Sequence, residues 1–245
     1  MVSKGTHVPS LPLYREVKEK LIQALAAGEW LPGAKIPIEN QLARRFNVGI
    51  STVRAAVSEL DAAGILYRRQ GKGTFVSEHA NKSRLYRFFN LVNADGTRET
   101  PIRTFVSLHR TKAMGAEAEF FSNSPYVYRL RSTFALRGKI AGVSDATIPA
   151  NLFPRLSAAK VCDRNLTLYA LYQSHYNVNV VSVSADLSTG FAPANVASLL
   201  GVKKGSPLLR IERKAYSYGD LPVELRTSWV NTAECKFHVD QGSTI

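Results

Sequence analysis

The sequence predicts an α+β protein in two parts. Three observations carry this. Apolar residues at helical spacing recur through the first 63 or so positions and lead into a short hairpin. Beyond residue 100 the pattern turns to strands joined by glycine turns. A stretch of the second half also returns 82 residues later. At roughly 100–200 residues per domain, the length of 245 residues accommodates two modest domains. The predicted partition is 1–77 for the first, 78–95 for a linker and 96–245 for the second.

In the first part, Leu13, Val17, Leu21, Ala24 and Leu25 fall on one helical face, with Pro12 before them and Gly28 after, a start and stop signal. A second helix is expected over 39–46, burying Leu42, Ala43 and Phe46, followed by an Asn47-Val48-Gly49 turn. A third is expected over 51–63, with Val53, Val57 and Leu60 inward and Gly64 at its end. Its outer face carries Ser51, Thr52, Arg54, Ala55 and Ser58. Small hydrogen-bonding groups around one arginine let a helix enter a DNA major groove, where a guanidinium donates a fork to guanine. The run 65–76 then predicts a hairpin with Arg68, Arg69, Gln70, Gly71, Lys72 and Gly73 at and beside its tip, a shape suited to phosphates.

Residues 78–102 mix Asn, Ser, Gly and charges around Leu85-Tyr86-Arg87-Phe88-Phe89, as a linker would; Lys82, Arg84 and Arg87 place further charge there. Beyond it, Ser124-Pro125-Tyr126-Val127-Tyr128-Arg129-Leu130-Arg131 realigns on Ser206-Pro207-Leu208-Leu209-Arg210-Ile211-Glu212-Arg213, with Ser, Pro and the last Arg coinciding. Each copy predicts strand, glycine turn and strand, preceded by a short helix (116–121 and 193–200). Between them a helix is expected over 165–175, burying Leu168, Leu171 and Tyr172, and an alternating strand over 178–187. Two hairpins, a helix and a further strand imply an antiparallel sheet domain.

The net charge is +13, an attraction toward nucleic acid or small anions. Residues 1–80 hold 11 Lys+Arg and 7 Asp+Glu, and the remainder 21 and 12, so the excess is spread and no basic arm is predicted. No apolar run approaches the ~18 residues of a membrane span, and the first twenty residues lack the apolar core of a secretory leader. The expectation is a reduced, cytoplasmic protein with no membrane partner. Two cysteines, Cys162 and Cys235, and five scattered histidines predict no disulfide framework, metal or cofactor. Gly142-Val143-Ser144-Asp145-Ala146 lacks the second glycine of a nucleophile elbow, and no catalytic residues are assigned.

The run LPGAKIPIENQLARRFNVGISTVRAAVSELDAAGILYRRQGKGTFV resembles the winged helix-turn-helix domain of GntR-type bacterial transcription regulators. Two departures stand out: Pro37-Ile38-Glu39 where the family has Pro-Ser-Glu, and Val48-Gly49-Ile50 where it favours Val-Ser-Arg. The resemblance implies DNA contacts at Ser51, Thr52, Arg54 and the tip residues 68–73. Arg44 and Arg45 are either phosphate contacts or part of a solvated face.

The second part resembles the UTRA effector-binding domain of the HutC-like branch. It does so at Thr167-Leu168-Tyr169, at the run Ala197 to Arg213, and at Asp220-Leu221-Pro222-Val223-Glu224. That resemblance implies a chorismate-lyase-like fold and a small-molecule effector. Arg129 and Arg131, two apart on a strand, share a face. They either meet an anion, as the family's matching arginines do, or pair with Asp145, Glu212 or Glu224. The resemblance adds Ser144, Thr167, Glu224 and Ser228 to the effector site. Ser144 stands where relatives carry Glu, and Val230-Asn231 where sugar-phosphate binders carry Tyr and Arg, which implies a smaller, less polar pocket. The function implied is a ligand-responsive repressor that binds a palindromic double-stranded DNA operator as a homodimer. The competing expectation is a chorismate-lyase-like metabolic enzyme fused to a DNA-binding head.

Overall fold

A computed structural model describes residues 12–78, 88–163, 166–233 and 235–239. The chain divides into two units at Ser77/Glu78.

The first unit packs α1 (Leu13–Ala26), α2 (Glu39–Phe46) and α3 (Ile50–Ala62), followed by the hairpin β1 (Leu66–Arg69) and β2 (Gly73–Val76). The helical apolar faces meet in its core: Val17, Leu21, Leu42, Val53, Val57 and Leu60 are almost wholly buried. Each such side chain contributes about 1.5–3 kcal/mol relative to exposure. Phe46, expected inside, is only half-buried. Lys18 of α1 and Glu59 of α3 pair at 2.6 Å. Asn47 closes α2 in the left-handed region at φ 53, which asparagine tolerates better than most residues. The hairpin gains a third partner, because Ile36 N donates to Thr74 O and Val76 N to Ala34 O. Gly73 stands at φ +116, and a Cβ there would lie 2.5 Å from Lys35 Cε.

The second unit is built on a six-stranded antiparallel sheet of order β4-β5-β6-β9-β8-β7. Its strands are β4 (Ile102–Lys112), β5 (Tyr126–Leu136), β6 (Lys139–Pro149), β7 (Ser182–Phe191), β8 (Pro207–Tyr216) and β9 (Pro222–Val230). The helices are α4 (Ala116–Phe120), α5 (Ala158–Val161), α6 (Leu168–Tyr176) and α7 (Ala194–Leu200). A separate pair, β3 (Leu91–Asn93) with β10 (Cys235–Phe237), is also antiparallel. The repeat is therefore structural: strand, helix and hairpin occur twice, and β6 meets β9 with Asp145 opposite Thr227, one repeat length apart.

Several expectations are corrected. The central helix begins at Leu168 rather than 165, with Thr167 as its N-cap. The alternating strand lies at Ser182–Phe191 rather than 178–187. β4 was not foreseen at all. Most of the aromatic linker segment, residues 79–87 with Lys82, Arg84 and Arg87, lies outside the described residues. Part of the expected linker belongs to the second unit, because Leu91–Asn93 pairs with Cys235–Phe237 and Phe88 packs on the core.

One face of the sheet carries two apolar clusters. Tyr128, Leu130, Ala146 and Ile148 pack with α5 and α6 residues including Val161, Leu171 and Tyr172. Phe134, Leu136, Ile211 and Val230 pack with Leu91 and Cys235 of the small pair. The other face is covered by α7 over Val143 and Leu208, and at one end by Phe121 against Val127. Among the described residues no helix is long and apolar enough to cross a membrane.

Two substitutions test this packing. The Phe134 ring lies so close over Gly142 that a Cβ would fall 2.1 Å from its Cζ, so Gly142→Ala is expected to cost about 1–3 kcal/mol, read as a lower urea midpoint. Ile38 caps α2 without a side-chain acceptor, although Gln41 Oε1 accepts from Ile38 N at 3.3 Å. Ile38→Ser completes the reciprocal box and is expected to raise the midpoint, by about 0.5–1 kcal/mol.

Candidate functional site

In the first unit the expected contact residues gather on one exposed surface. Ser51, Arg54, Ala55 and Ser58 are exposed on α3 and Thr52 is half-buried, while the opposite side of the helix is locked in the core. Arg54 is 62% exposed, and its Nε donates to Glu39 Oε2 at 3.0 Å. Arg68 Nη2 donates to Ser58 Oγ at 2.9 Å and lies 3.9 Å from Glu39. Arg69 stacks over Tyr67 and Phe75, each 5.3 Å from the ring centroid. Gln70, Gly71 and Lys72 are exposed at the tip, with Gly71 at φ +70.

Arg44 is exposed at the end of α2. Arg45 is held differently: it forms a bidentate pair with Glu29 and lies 5.4 Å over both Trp30 and Phe46. Exposed ion pairs are worth about 0–1 kcal/mol. Glu39 thus orients Arg54 at rest yet yields it at little cost to a stronger acceptor. Ile50 and Ile38 are exposed apolar groups beside these cations.

In the second unit the expected residues separate. Arg129 and Arg131 do share a face, but it is not the face of Ser144, Ser228 and Glu224. Asp145 is opposite Arg131, while Ser132, Ser144 and Ser228 are mutually opposite one position along, and successive residues of a strand face opposite sides. Both guanidiniums are already engaged. Arg129 donates twice to Glu117 at 2.8 Å, and Arg131 donates to Asp145 at 2.6 and 2.9 Å. Asp145 was among the expected partners; Glu117 was not. Thr167 Oγ1 accepts from Ala170 N at 3.2 Å, which caps α6.

The α6 face holds a different constellation. Glu224 is 0% exposed, and both its oxygens are filled. Arg226 Nε and Nη2 donate at 2.8 and 2.7 Å. Tyr169 and Tyr172 hydroxyls donate at 3.0 and 2.7 Å. Burial, and then the Glu224 charge, push Tyr169 up to about 12 and Tyr172 well above the usual phenol range. Burial opposes the Arg226 charge, but Glu224 and the two phenols outweigh it and raise its pKa.

Beside this tetrad, Ser132, Ser144 and Ser228 lie in one row between the two apolar clusters, with Ser228 Oγ donating to Ser144 Oγ at 3.4 Å. Arg213 is directly opposite Arg226 on β8. Arg103 of β4 reaches along the same face and donates from Nη2 to Val161 O at 2.6 Å. The Nε atoms of Arg103 and Arg213 are buried without a hydrogen-bond partner. Sequence reasoning missed Arg103, Ser132, Arg213 and Arg226 as site residues. The available signal was cationic residues at inward positions of alternating strands.

A helical head that offers small polar groups and cations to solvent, joined to a sheet unit with a polar row inside its core, defines a ligand-responsive DNA-binding transcription regulator. Residues 13–76 match the bacterial regulatory proteins of the gntR family, and residues 98–236 match the UTRA domain. The chain belongs to the GntR family, in the HutC-like branch that carries a UTRA domain.

It is 28% identical over 218 residues to the "Probable fructoselysine utilization operon transcriptional repressor" of Escherichia coli (strain K12), covering 87% of this chain and 88% of that one. It is 27% identical over 219 residues to the "Histidine utilization repressor" of Pseudomonas putida, covering 86% and 85%. A crystal structure of the ligand-binding domain of a GntR-family protein from Bordetella bronchiseptica shares the fold. Its TM-score is 0.61 at 24% identity, over 64% of this chain and 99% of that one.

The tetrad makes a pH prediction. Tyr169 has a folded-state pKa raised from 10.0 to about 12, so its contribution to stability is complete below pH 10 and is lost as pH rises toward 12. In a phenolate absorbance titration, Tyr169→Phe is expected to remove a late-ionising tyrosine, and unfolding near pH 11 is expected to become less pH-dependent.

Proposed function

We propose that the chain is a repressor that binds a palindromic operator as a homodimer in the cytoplasm and is released or retained by a small effector. The head would be residues 1–77, the linker 78–95 and the effector domain 96–245. The outer face of α3 carries the DNA half of this reading: exposed Ser51, Arg54, Ala55 and Ser58 on a helix whose inner face is fixed. Arg54 reads a base edge, Thr52 and Ile50 flank it, and the tip residues 68–73 with Arg44 hold phosphates. Arg45, engaged by Glu29, supports the head rather than leading the contact. One head reads few bases, which favours two copies on half-sites about 10 base pairs apart or a multiple of that.

The effector half rests on Ser144 and Ser228 in the polar row beside Glu224. The names of the relatives, both repressors, support the sign of regulation. In this reading the unit binds rather than catalyses, and Glu224, which accepts four hydrogen bonds from Arg226, Tyr169 and Tyr172, serves as a structural anchor. Effector coupling requires different affinities for the DNA-competent and DNA-released states, typically ~1–3 kcal/mol, and the effect is reciprocal.

The test begins with operator selection from random duplexes, followed by band shifts. Arg54→Ala is expected to cost about 1–3 kcal/mol and relax preference at one base pair, whereas Lys72→Ala weakens all sequences alike and lowers the salt dependence. Equal loss on every sequence for Arg54→Ala would make it a phosphate contact. Sedimentation with operator duplex checks the dimer, and a single copy per palindrome would overturn it.

A further inference from the structure

We infer that Ile50 reads the C5-methyl group of a thymine beside the base that Arg54 contacts, and so sets one position of the operator. This rests on the reading of the outer face of α3 as the DNA surface, and it names an apolar group that this face recognises besides its hydrogen-bond partners. Ile50 is 43% exposed at the first position of α3. Val53, Ala56, Val57 and Leu60 on the opposite side are almost wholly buried. Residues four apart are neighbours along a helix surface, so Ile50, Arg54 and Ser58 form a row of an apolar knob, a cation and a hydroxyl. The cation and the hydroxyl suit polar base edges. The knob suits the apolar group that a base pair shows in the major groove, the thymine methyl.

Position and shape both favour that contact. The leading residues of a helix-turn-helix recognition helix are the ones that reach base edges. Gly49, the N-cap before Ile50, sits at φ −67 and ψ 150, a conformation open to any residue. A Cβ there would meet nothing closer than Ser51 Oγ at 3.7 Å. Neither the backbone angles nor those neighbours require glycine; its effect is outward, because no side chain at the N-cap holds a groove away from Ile50. The branched Cβ leaves isoleucine one strongly preferred χ1 rotamer in a helix, so little side-chain freedom is lost on contact. Ile38, also exposed, caps α2, the helix that crosses the phosphate backbone in this motif, where no methyl is offered. Four residues span about 6 Å along a helix, or about two base-pair steps of ~3.4 Å. The thymine therefore lies within about two or three base pairs of the one that Arg54 reads.

The test uses the full chain on an operator selected from random duplexes. Each thymidine of a half-site is replaced in turn by deoxyuridine, which removes the methyl and keeps every hydrogen-bonding group. One replacement near the base pair read by Arg54 is expected to weaken binding about 4-fold per half-site, the loss of one methyl contact. In Ile50→Ala the ratio of thymidine to deoxyuridine affinity at that position is expected to fall to about 1, the signature of a coupled pair in a double-mutant cycle. Ile50→Val is expected to keep part of the ratio, and Ile38→Ala all of it. Ile50→Ala is expected to melt with the wild type, because exposed substitutions change stability little.

Equal affinity for thymidine and deoxyuridine at every position overturns the assignment. So does a ratio that survives in Ile50→Ala, which gives the methyl to another residue; a lower melting point of that variant would then make Ile50 a structural residue. Arg54→Ala on the same duplexes separates the two readings. A base preference lost in Arg54→Ala, with no thymidine responding to Ile50, upholds α3 as the DNA surface and sinks only the methyl contact. A selection that returns no sequence, or one indifferent to Arg54→Ala, sinks the α3 reading and the methyl contact with it.

Discussion

The second unit depends on one buried carboxylate. Glu224 is 0% exposed and would be prohibitive in an apolar core without full compensation. Arg226 supplies the charge, and the Tyr169 and Tyr172 hydroxyls fill the remaining lone pairs. Because Arg226 shares the strand while both tyrosines come from α6, the tetrad bolts the helix to the sheet in one register. Removing Arg226 or Glu224 alone would strand a buried charge, a loss of about 3–5 kcal/mol, whereas apolar replacement of the pair is often near neutral. The arrangement therefore fixes where α6 sits more than it adds net stability.

The head obeys a simpler logic. Its helices bury their periodic apolar residues completely, and side-chain capping is weak where α2 and α3 begin, at Ile38 and Gly49. Packing rather than capping holds the presenting helix. The charged residues of the outer surface are tied to one another by exposed pairs such as Arg54–Glu39 and Arg45–Glu29, which are inexpensive to rearrange.

Much of this was legible in the sequence. Helical periodicity located all three head helices to within a residue or so, because their inner faces are wholly apolar. The repeat identified both hairpins. What failed was face assignment in the sheet. Arg131 and Arg213 coincide in the repeat, yet Arg131 is opposite Asp145 on one face and Arg213 is opposite Arg226 on the other. A one-residue change of register reverses every side chain, and the two hairpins differ by such a step, with irregularities at Phe134/Ala135 and at Ala215/Tyr216. Sequence alignment sees the arginine but not the slip. β4 escaped notice because its polarity does not follow its faces: Ile102 and Val106 are exposed while Arg103 and Ser107 are half-buried, so it has no apolar alternation to read, and Arg103 was lost with it.

The meeting of β6 with β9 has a consequence for how the chain comes to its fold. Asp145 and Thr227 are neighbours in the sheet although about half of the second unit's sequence lies between them. Each hairpin closes locally, but joining the halves requires a long loop to be closed before that contact returns any stabilisation. During synthesis the head, made of local helices, is complete long before β9 emerges. The first hairpin must wait with the β6 edge unpaired, open to pairing with another chain. The DNA-binding half is thus available early, and the sensing half is the slow, aggregation-exposed step in making this protein.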